Sequence, residues 1–352
     1  MIRTYIVIAF IFLSVQLQAQ LYFNSDTFWG RLQLDKELSL KNREDIDTAI
    51  IVASNRARQE NDSLRFMSEE ADTEGIKYFF VYALEGKWHV LPVAGLKKAI
   101  SYMPHPNRDW VVYTEGMGKI FTTGIDRGMR MTTQYDVNVI LLDYPSIRTD
   151  RKRTRNYYFA IRHARSAYKD FVPVLDTLKW LRTKKEMGNG HLSLFFHSMG
   201  NIVAYKTVVS KQINRLNNTV WVDNIILNAP CVPTKGHVEW VDKLNFAKRI
   251  YIHYNPRDYT LQGAHLMSLK KQLGERVEHP ISKKAVYINF NSITDRGHSN
   301  FLILYGREAA SKASISHYNV LLHGKEINLS DTGKYRLTTY NNIGYDLIPT
   351  GS

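Results

Sequence analysis

Three residues able to share one piece of chemistry occur in order along the chain: Ser198, Asp258 and His298. A serine hydroxyl is a weak nucleophile until a base takes its proton, and that base needs an acid to fix its tautomer. Ser198 lies in "LSLFFHSMGNIVAYK", which reads as a buried strand, an abrupt turn and a helix. Asp258 follows the apolar run "RIYIHY" within "NPRD", and His298 follows "AVYINF" within "NSITDRGHSNF". Each therefore falls just past the end of a later strand. The separations of 60 and 40 residues leave room for one strand–helix unit each. Such a set points to acyl transfer through a covalent serine intermediate.

The turn itself is ambiguous when read alone. A nucleophile elbow needs small neighbours, because the strained serine leaves little space around it. Gly200 meets that need on the later side, but Phe196 stands where G-x-S-x-G has its first glycine. A serine between strand and helix is also a common N-cap, so the downstream acid and base decide for the nucleophile. Asp258 has a rival role as a turn residue, and His298 as an exposed loop histidine. Asp242 and Glu239 are alternative acids, though neither directly follows a strand, and Asp295 is too close in sequence to His298. His197 is expected to point away from the serine as structural support. The loop "TEGMGK" after "WVVY" offers backbone next to the substrate, freed by Gly116 and Gly118. The N–H groups of Met199 and Met117 are the expected oxyanion donors.

The elements that must hold these residues are short apolar runs alternating with helical stretches. Strands are predicted at 110–113, 137–142, 192–196, 224–228, 249–254 and 285–290, with "TAIIVAS" and "IKYFFVYAL" before them. Near-continuous β-branched and aromatic runs are those of parallel strands buried on both faces. A long helix is expected from Tyr158 to Lys185, with Phe171, Val174, Leu175, Leu178 and Leu181 on one face and a kink at Pro173. The fold class is α/β: a doubly wound, mostly parallel sheet with an N-terminal strand extension and a C-terminal β-rich tail. The chain divides into a signal peptide (1–19), a polar segment (20–47), the sheet domain (48–310) and the tail (311–352).

Composition narrows the setting. Arg3 followed by "YIVIAFIFLSV" and a small residue at Ala19 reads as a cleaved secretory signal. The run is short for a spanning helix, which needs about 20 apolar residues. Secretion or a periplasmic location follows as the expectation, with a membrane anchor as the alternative. The single cysteine, Cys231, cannot form an internal disulfide. No cysteine or histidine cluster has metal spacing, and no metal or cofactor is expected. The formal charge of +14 favours anionic neighbours. Its densest run, "RTDRKRTR", lacks the interleaved aromatics that nucleic-acid binding needs. The expected partners are therefore a small-molecule or lipid ester and an anionic membrane surface, with no nucleic acid; nothing sets an oligomeric state.

These motifs resemble the alpha/beta hydrolase superfamily and, within it, a bacterial family of uncharacterised function whose elbow reads HSMGN. "IIVASNRAR" with "LRF", "VNVILLDYPS", "IILNAP" and "GHSNF" are each similar to segments of that family, over roughly residues 48–302. The resemblance implies Ser198, Asp258 and His298 as nucleophile, acid and base, the same three reached from spacing. It departs at Glu115, where the family has histidine, at Tyr144 in place of tryptophan, and at Cys231 in place of aspartate. A carboxylate beside an oxyanion hole opposes the transition-state charge unless it is paired or points away. The expected function is a carboxylic ester hydrolase. An amidase or acyltransferase would use the same three residues, and a catalytically silent fold binding an envelope component or partner protein is the reading from another class.

Overall fold

The computed structural model describes residues 22–38, 45–72, 74–304 and 310–349. The expected signal peptide lies outside them. Among the described residues, fourteen strands run in chain order. The first six are β1 (Leu32–Leu34), β2 (Ala49–Ser54), β3 (Arg56–Arg58), β4 (Met67–Ala71), β5 (Lys77–Leu84) and β6 (Lys87–Val93). The central ones are β7 (Trp110–Thr114), β8 (Asn138–Asp143), β9 (Leu192–His197), β10 (Val222–Asn228), β11 (Ala247–Tyr254) and β12 (Ala285–Asn289). An antiparallel pair, β13 (Tyr335–Leu337) and β14 (Tyr345–Leu347), closes the chain.

Twelve of them form one sheet, in the order β1-β6-β5-β2-β8-β7-β9-β10-β11-β12-β14-β13. From β2 across to β12, through β8, β7, β9, β10 and β11, every pairing is parallel. The hairpin β5–β6 joins β2 antiparallel. All six predicted core strands are present to within two residues. The polar segment at 20–47 contributes more than its composition suggested. Its short helix α1 (Asp26–Trp29) buries Phe28 and Trp29, and β1 pairs with β6 at the sheet edge. A sequence of only three strand residues leaves no alternation to read.

Alternate residues along the strands feed two cores. Ile51, Val112, Leu142, Leu194, Ile225 and Ile252 point to one face, under α4 (Arg153–Thr183) and α5 (Gly200–Val209). Ile50, Val111, Leu141, Phe195, Ile226 and Tyr251 point to the other, under α3 (Phe121–Tyr135) and α9 (Lys312–Leu322). The numbering includes α2 (Leu96–Ser101), α6 (His237–Val241), α7 (Tyr259–Ser268) and α8 (Asn291–Thr294). Burial on both faces explains why the strand sequences are continuously apolar. The long helix begins at Arg153 rather than Tyr158, because the end of the basic run is already helical. The tail, expected to be β-rich, holds the short strands β13 and β14, preceded by the longer α9.

Register brings the site together. Thr114 of β7 pairs with Phe196 of β9, so the loop after β7 starts beside the elbow. Asn228 of β10 pairs with both His197 of β9 and His253 of β11, which sets three polar side chains in a row across the carboxyl end.

Candidate active site

β9 ends at His197, and the next residue turns the chain sharply. Ser198 has φ of +52°, the left-handed region that non-glycine residues enter only under constraint. The constraint is visible in the hydrogen bonds. Ser198 N donates to Asn228 O at 2.9 Å, and Ser198 O accepts from Cys231 N at 3.1 Å. Asn201 Nδ2, one turn into α5, lies 3.0 Å from both Phe196 O and Ser198 O and 3.2 Å from Asn228 O. The asparagine of "HSMGN" thus pins the elbow from inside the helix.

Glycine is required at two neighbouring positions for reasons of space. A Cβ on Gly200 would lie 2.5 Å from Thr114 O, and one on Gly116 would lie 2.6 Å from Ser198 Cβ. The β7 loop therefore presses its backbone against the serine. Phe196, where the usual motif has glycine, packs into the core on the α4–α5 face.

Asp258 caps α7 and is buried. Its Oδ1 accepts from Thr260 N at 2.9 Å and Leu261 N at 3.0 Å, leaving Oδ2 for His298 Nδ1 at 2.6 Å. Asn255 fixes the histidine loop to the aspartate loop: its Nδ2 donates to Asp295 O at 2.8 Å and reaches Gly297 O at 3.3 Å. The His298 side chain keeps 15% of its surface exposed. Ser198 Oγ has no hydrogen-bond partner among the described residues, so its hydroxyl is uncommitted. Catalytic contacts of this kind are often long before substrate binds.

The rival acids are engaged elsewhere. Asp242 bonds Ser282, Glu239 lies on α6, and Asp295 pairs with Arg257 at 2.7 Å on the surface. The backbone N–H groups of Met199 and Met117 form no hydrogen bond among the described residues, whereas Gly116 N donates to Glu115 Oε1 at 2.9 Å.

Glu115 is buried and bonds the Arg127 guanidinium and the Tyr113 hydroxyl. Burial alone would push its carboxyl up, but the Arg127 and Lys119 charges and the Tyr113 hydrogen bond outweigh that and hold it well below the usual range. Its charge is thus matched inside the protein. Arg127, one of several buried polar residues on α3 with Thr122, Asp126 and Thr132, and Asn228 and Asn255, at strand ends, carry no sequence signal of their own. Arg56, from "IIVASNRAR", is fully buried: it bonds Asp143 at 2.8 Å and donates to Lys119 O and Tyr144 O, each at 2.9 Å. That single side chain ties together the loops after β7 and β8.

His197 is buried beside the pair, its ring 4.8 Å from that of His298. Asn228 Nδ2 can only donate, so His197 Nδ1, at 2.9 Å, is the acceptor and Nε2 carries the hydrogen. Nε2 then faces Ser299 Oγ at 3.3 Å and Glu115 Oε1 at 3.7 Å. Asn228 Oδ1 accepts from Tyr318 OH at 2.6 Å and His253 Nδ1 at 3.1 Å. His253 Nε2 accepts from His317 Nε2 at 3.0 Å, and His317 Nδ1 accepts from Tyr335 OH at 2.9 Å. Every donor in this row meets an acceptor with all three imidazoles neutral. Burial drives His197 and His253 well below the ordinary histidine value and His317 down to about 3. Burial, then the Asp258 charge, pushes the Cys231 thiol up to about 12, which leaves it inert.

A doubly wound sheet with a strand–elbow–helix at its carboxyl edge defines an alpha/beta hydrolase. More narrowly, the chain belongs to the family described as "Alpha/beta hydrolase of unknown function (DUF900)", which matches residues 96–313. No curated protein matches the chain. Four chains of known structure match it. One is the crystal structure of BES protein from Bacillus cereus, at 13% identity over 83% of this chain and 98% of that one, with a TM-score of 0.35. A TM-score that low adds nothing to the assignment of fold.

Proposed function

We propose that the protein is a serine hydrolase of carboxylic esters. Ser198 Oγ attacks the acyl carbon while His298 Nε2 takes its proton, and Asp258 holds the imidazole through Nδ1. The oxyanion is received by the N–H groups of Met199 and Met117. The protonated His298 then gives its proton to the leaving alkoxide, and water repeats the sequence to free the acid. The observation that carries this reading is the 2.6 Å Asp258–His298 bond, with the His298 ring 4.8 Å from that of His197, whose next residue is the serine at φ +52°. The pairing of Glu115 with Arg127 favours it over a catalytically silent binder, since the carboxylate no longer faces the hole unmatched.

The test is labelling by a fluorophosphonate and turnover of a graded p-nitrophenyl ester series. Wild-type protein should label and turn over, and Ser198→Ala should do neither while keeping its fold. Undiminished ester hydrolysis by Ser198→Ala would remove the mechanism. We also place the protein outside the cytoplasm, on its Arg3-led apolar N-terminus. Mature chain from the envelope should then begin at or near Gln20 or Leu21, and intact residues 2–18 would point to an anchor.

A further inference from the structure

The basic run that stood out in the sequence is partly neutralised. Arg148 is held by Glu70 and, at 2.7 Å, by Asp150, while Arg151 lies 4.9 Å from the Phe159 ring and 3.8 Å from Glu70. The free positive charge lies further along α4. Arg155, Tyr158, Arg162, Arg165 and Lys169 repeat at spacings of 3, 4, 3 and 4, which places them on one face of the helix. The opposite face, with Tyr157, Ala160, Ala164 and Phe171, is buried. This stripe is about 21 Å long at 1.5 Å per residue. Alongside it, between α4 and α5, runs a groove of about 390 Å³ lined by Arg162, Arg165, Lys169 and Lys206, with the hydroxyls of Ser166 and Ser210.

No carboxylate lines this groove, and none of its four cations forms an ion pair among the described residues. Elsewhere on the molecule the pattern differs: Arg182 and Lys248 share Asp223, and Arg215 meets Asp176. Four like charges left together repel one another until an anion arrives. Arginine forks fit phosphate oxygens, while the Ser166 and Ser210 hydroxyls donate within their own helices, to His163 O at 3.0 Å and Lys206 O at 2.6 Å. Two exposed side chains flank the charge, Tyr158 at 56% and Val209 at 46%. An amphipathic tyrosine beside cations suits the headgroup level of a bilayer. With Tyr158 the one aromatic on the stripe and the groove's Tyr168 packed against the core, stacked nucleotides are poorly served.

We propose that this groove and stripe form a docking surface for the phosphate headgroups of an anionic lipid bilayer. The surface stands on its own chemistry and does not depend on the hydrolase reading. Both helices start at the carboxyl edge of the sheet; the stripe begins there at Arg155, and the groove lies further along, at the end of α5 that carries Lys206, Val209 and Ser210.

The test is co-sedimentation of Ser198→Ala protein with vesicles of equal parts phosphatidylglycerol and phosphatidylcholine, against phosphatidylcholine alone. Using the alanine variant keeps binding separate from any turnover. Binding is expected to the anionic vesicles only, and at least tenfold weaker in 1 M than in 0.1 M salt. Arg162→Gln, Arg165→Gln and Lys169→Gln together should weaken it about a hundredfold, at roughly fivefold per surface cation. Glutamine keeps the helix propensity, and circular dichroism checks the fold. A control triple on exposed lysines elsewhere, Lys36→Gln, Lys283→Gln and Lys312→Gln, removes the same charge and should change binding far less. Equal loss in both triples would reduce the effect to net charge and overturn the surface. Absent vesicle binding would overturn it too, as would saturable binding of glycerol phosphate in solution without any binding to vesicles.

Discussion

His298 and His197 face each other with ring centres 4.8 Å apart, and their surroundings differ in two respects. His298 has a carboxylate on Nδ1 and a partly exposed edge. His197 has an amide on Nδ1 and is closed off from solvent. A carboxylate can stabilise a positive imidazole, whereas an amide fixed as donor only specifies a neutral one. Position beside the serine therefore does not decide which histidine works. The partner on the far nitrogen does, and so does access for a proton.

The strongest way to break this comparison is to make the two partners alike. Asp258→Asn should lower kcat for an ester by roughly 10⁴-fold, the loss seen when a triad aspartate is replaced by its amide. A loss under about tenfold would return the acid's role to Asp242 or Glu239. Next in size is the buried pair of Glu115 and Arg127 beside the loop after β7. Arg127→Met leaves the Glu115 charge without its main partner and should cost about 3–5 kcal/mol in urea unfolding. An unfolding midpoint unchanged from wild type would mean that Glu115 is balanced by other groups.

The neutral histidines predict a pH effect on stability. His197, His253 and His317 have depressed values in the folded protein, while the unfolded chain regains about 6.5. Below about pH 6.5 the unfolded state therefore binds more protons. The stabilisation is complete above that value and is lost as pH falls towards the depressed values, about 3 for His317. Each such group contributes a slope of about 1.4 kcal/mol per pH unit. Unfolding measured from pH 7.5 to 5 should show this slope before carboxylates begin to titrate. His253→Leu with His317→Phe should flatten it by about two protons, and an unaltered slope would place the titration elsewhere. The smallest effect is expected at His197 itself. His197→Gln should lower kcat about threefold to tenfold by loosening the support behind His298, without moving the pH–rate profile. A shifted profile would show that His197 shares the proton.

Much of this was legible from local pattern. Strands buried on both faces announce themselves as apolar runs, and Asp258 and His298, which the structure joins by a hydrogen bond, stand out because each follows such a run. What the sequence withheld depends on register. His253 and His317 lie 64 residues apart and share a hydrogen bond only because α9 covers the row set by β9, β10 and β11. Glu115 looked like an obstacle because its partner, Arg127, comes from the next helix. The 3-residue strand β1 and the start of α4 were hidden by polar and basic residues whose pairing only the assembled sheet supplies.

Asn228 belongs to both systems. Its carbonyl holds the amide of Ser198, and its side chain holds His197 on one side and His253 on the other. Ser198 and the neutral row are thus measured from one common datum, as two bores in a machined part are referred to a single face. When β10 drifts by a few tenths of an ångström, serine and histidine support drift with it, and their spacing is conserved. Misalignment has to enter elsewhere, through the loop that carries His298, which Asn255 ties to the aspartate turn together with the Asp258 bond, the exposed Arg257–Asp295 pair and Arg296 stacked 4.5 Å over the Tyr259 ring.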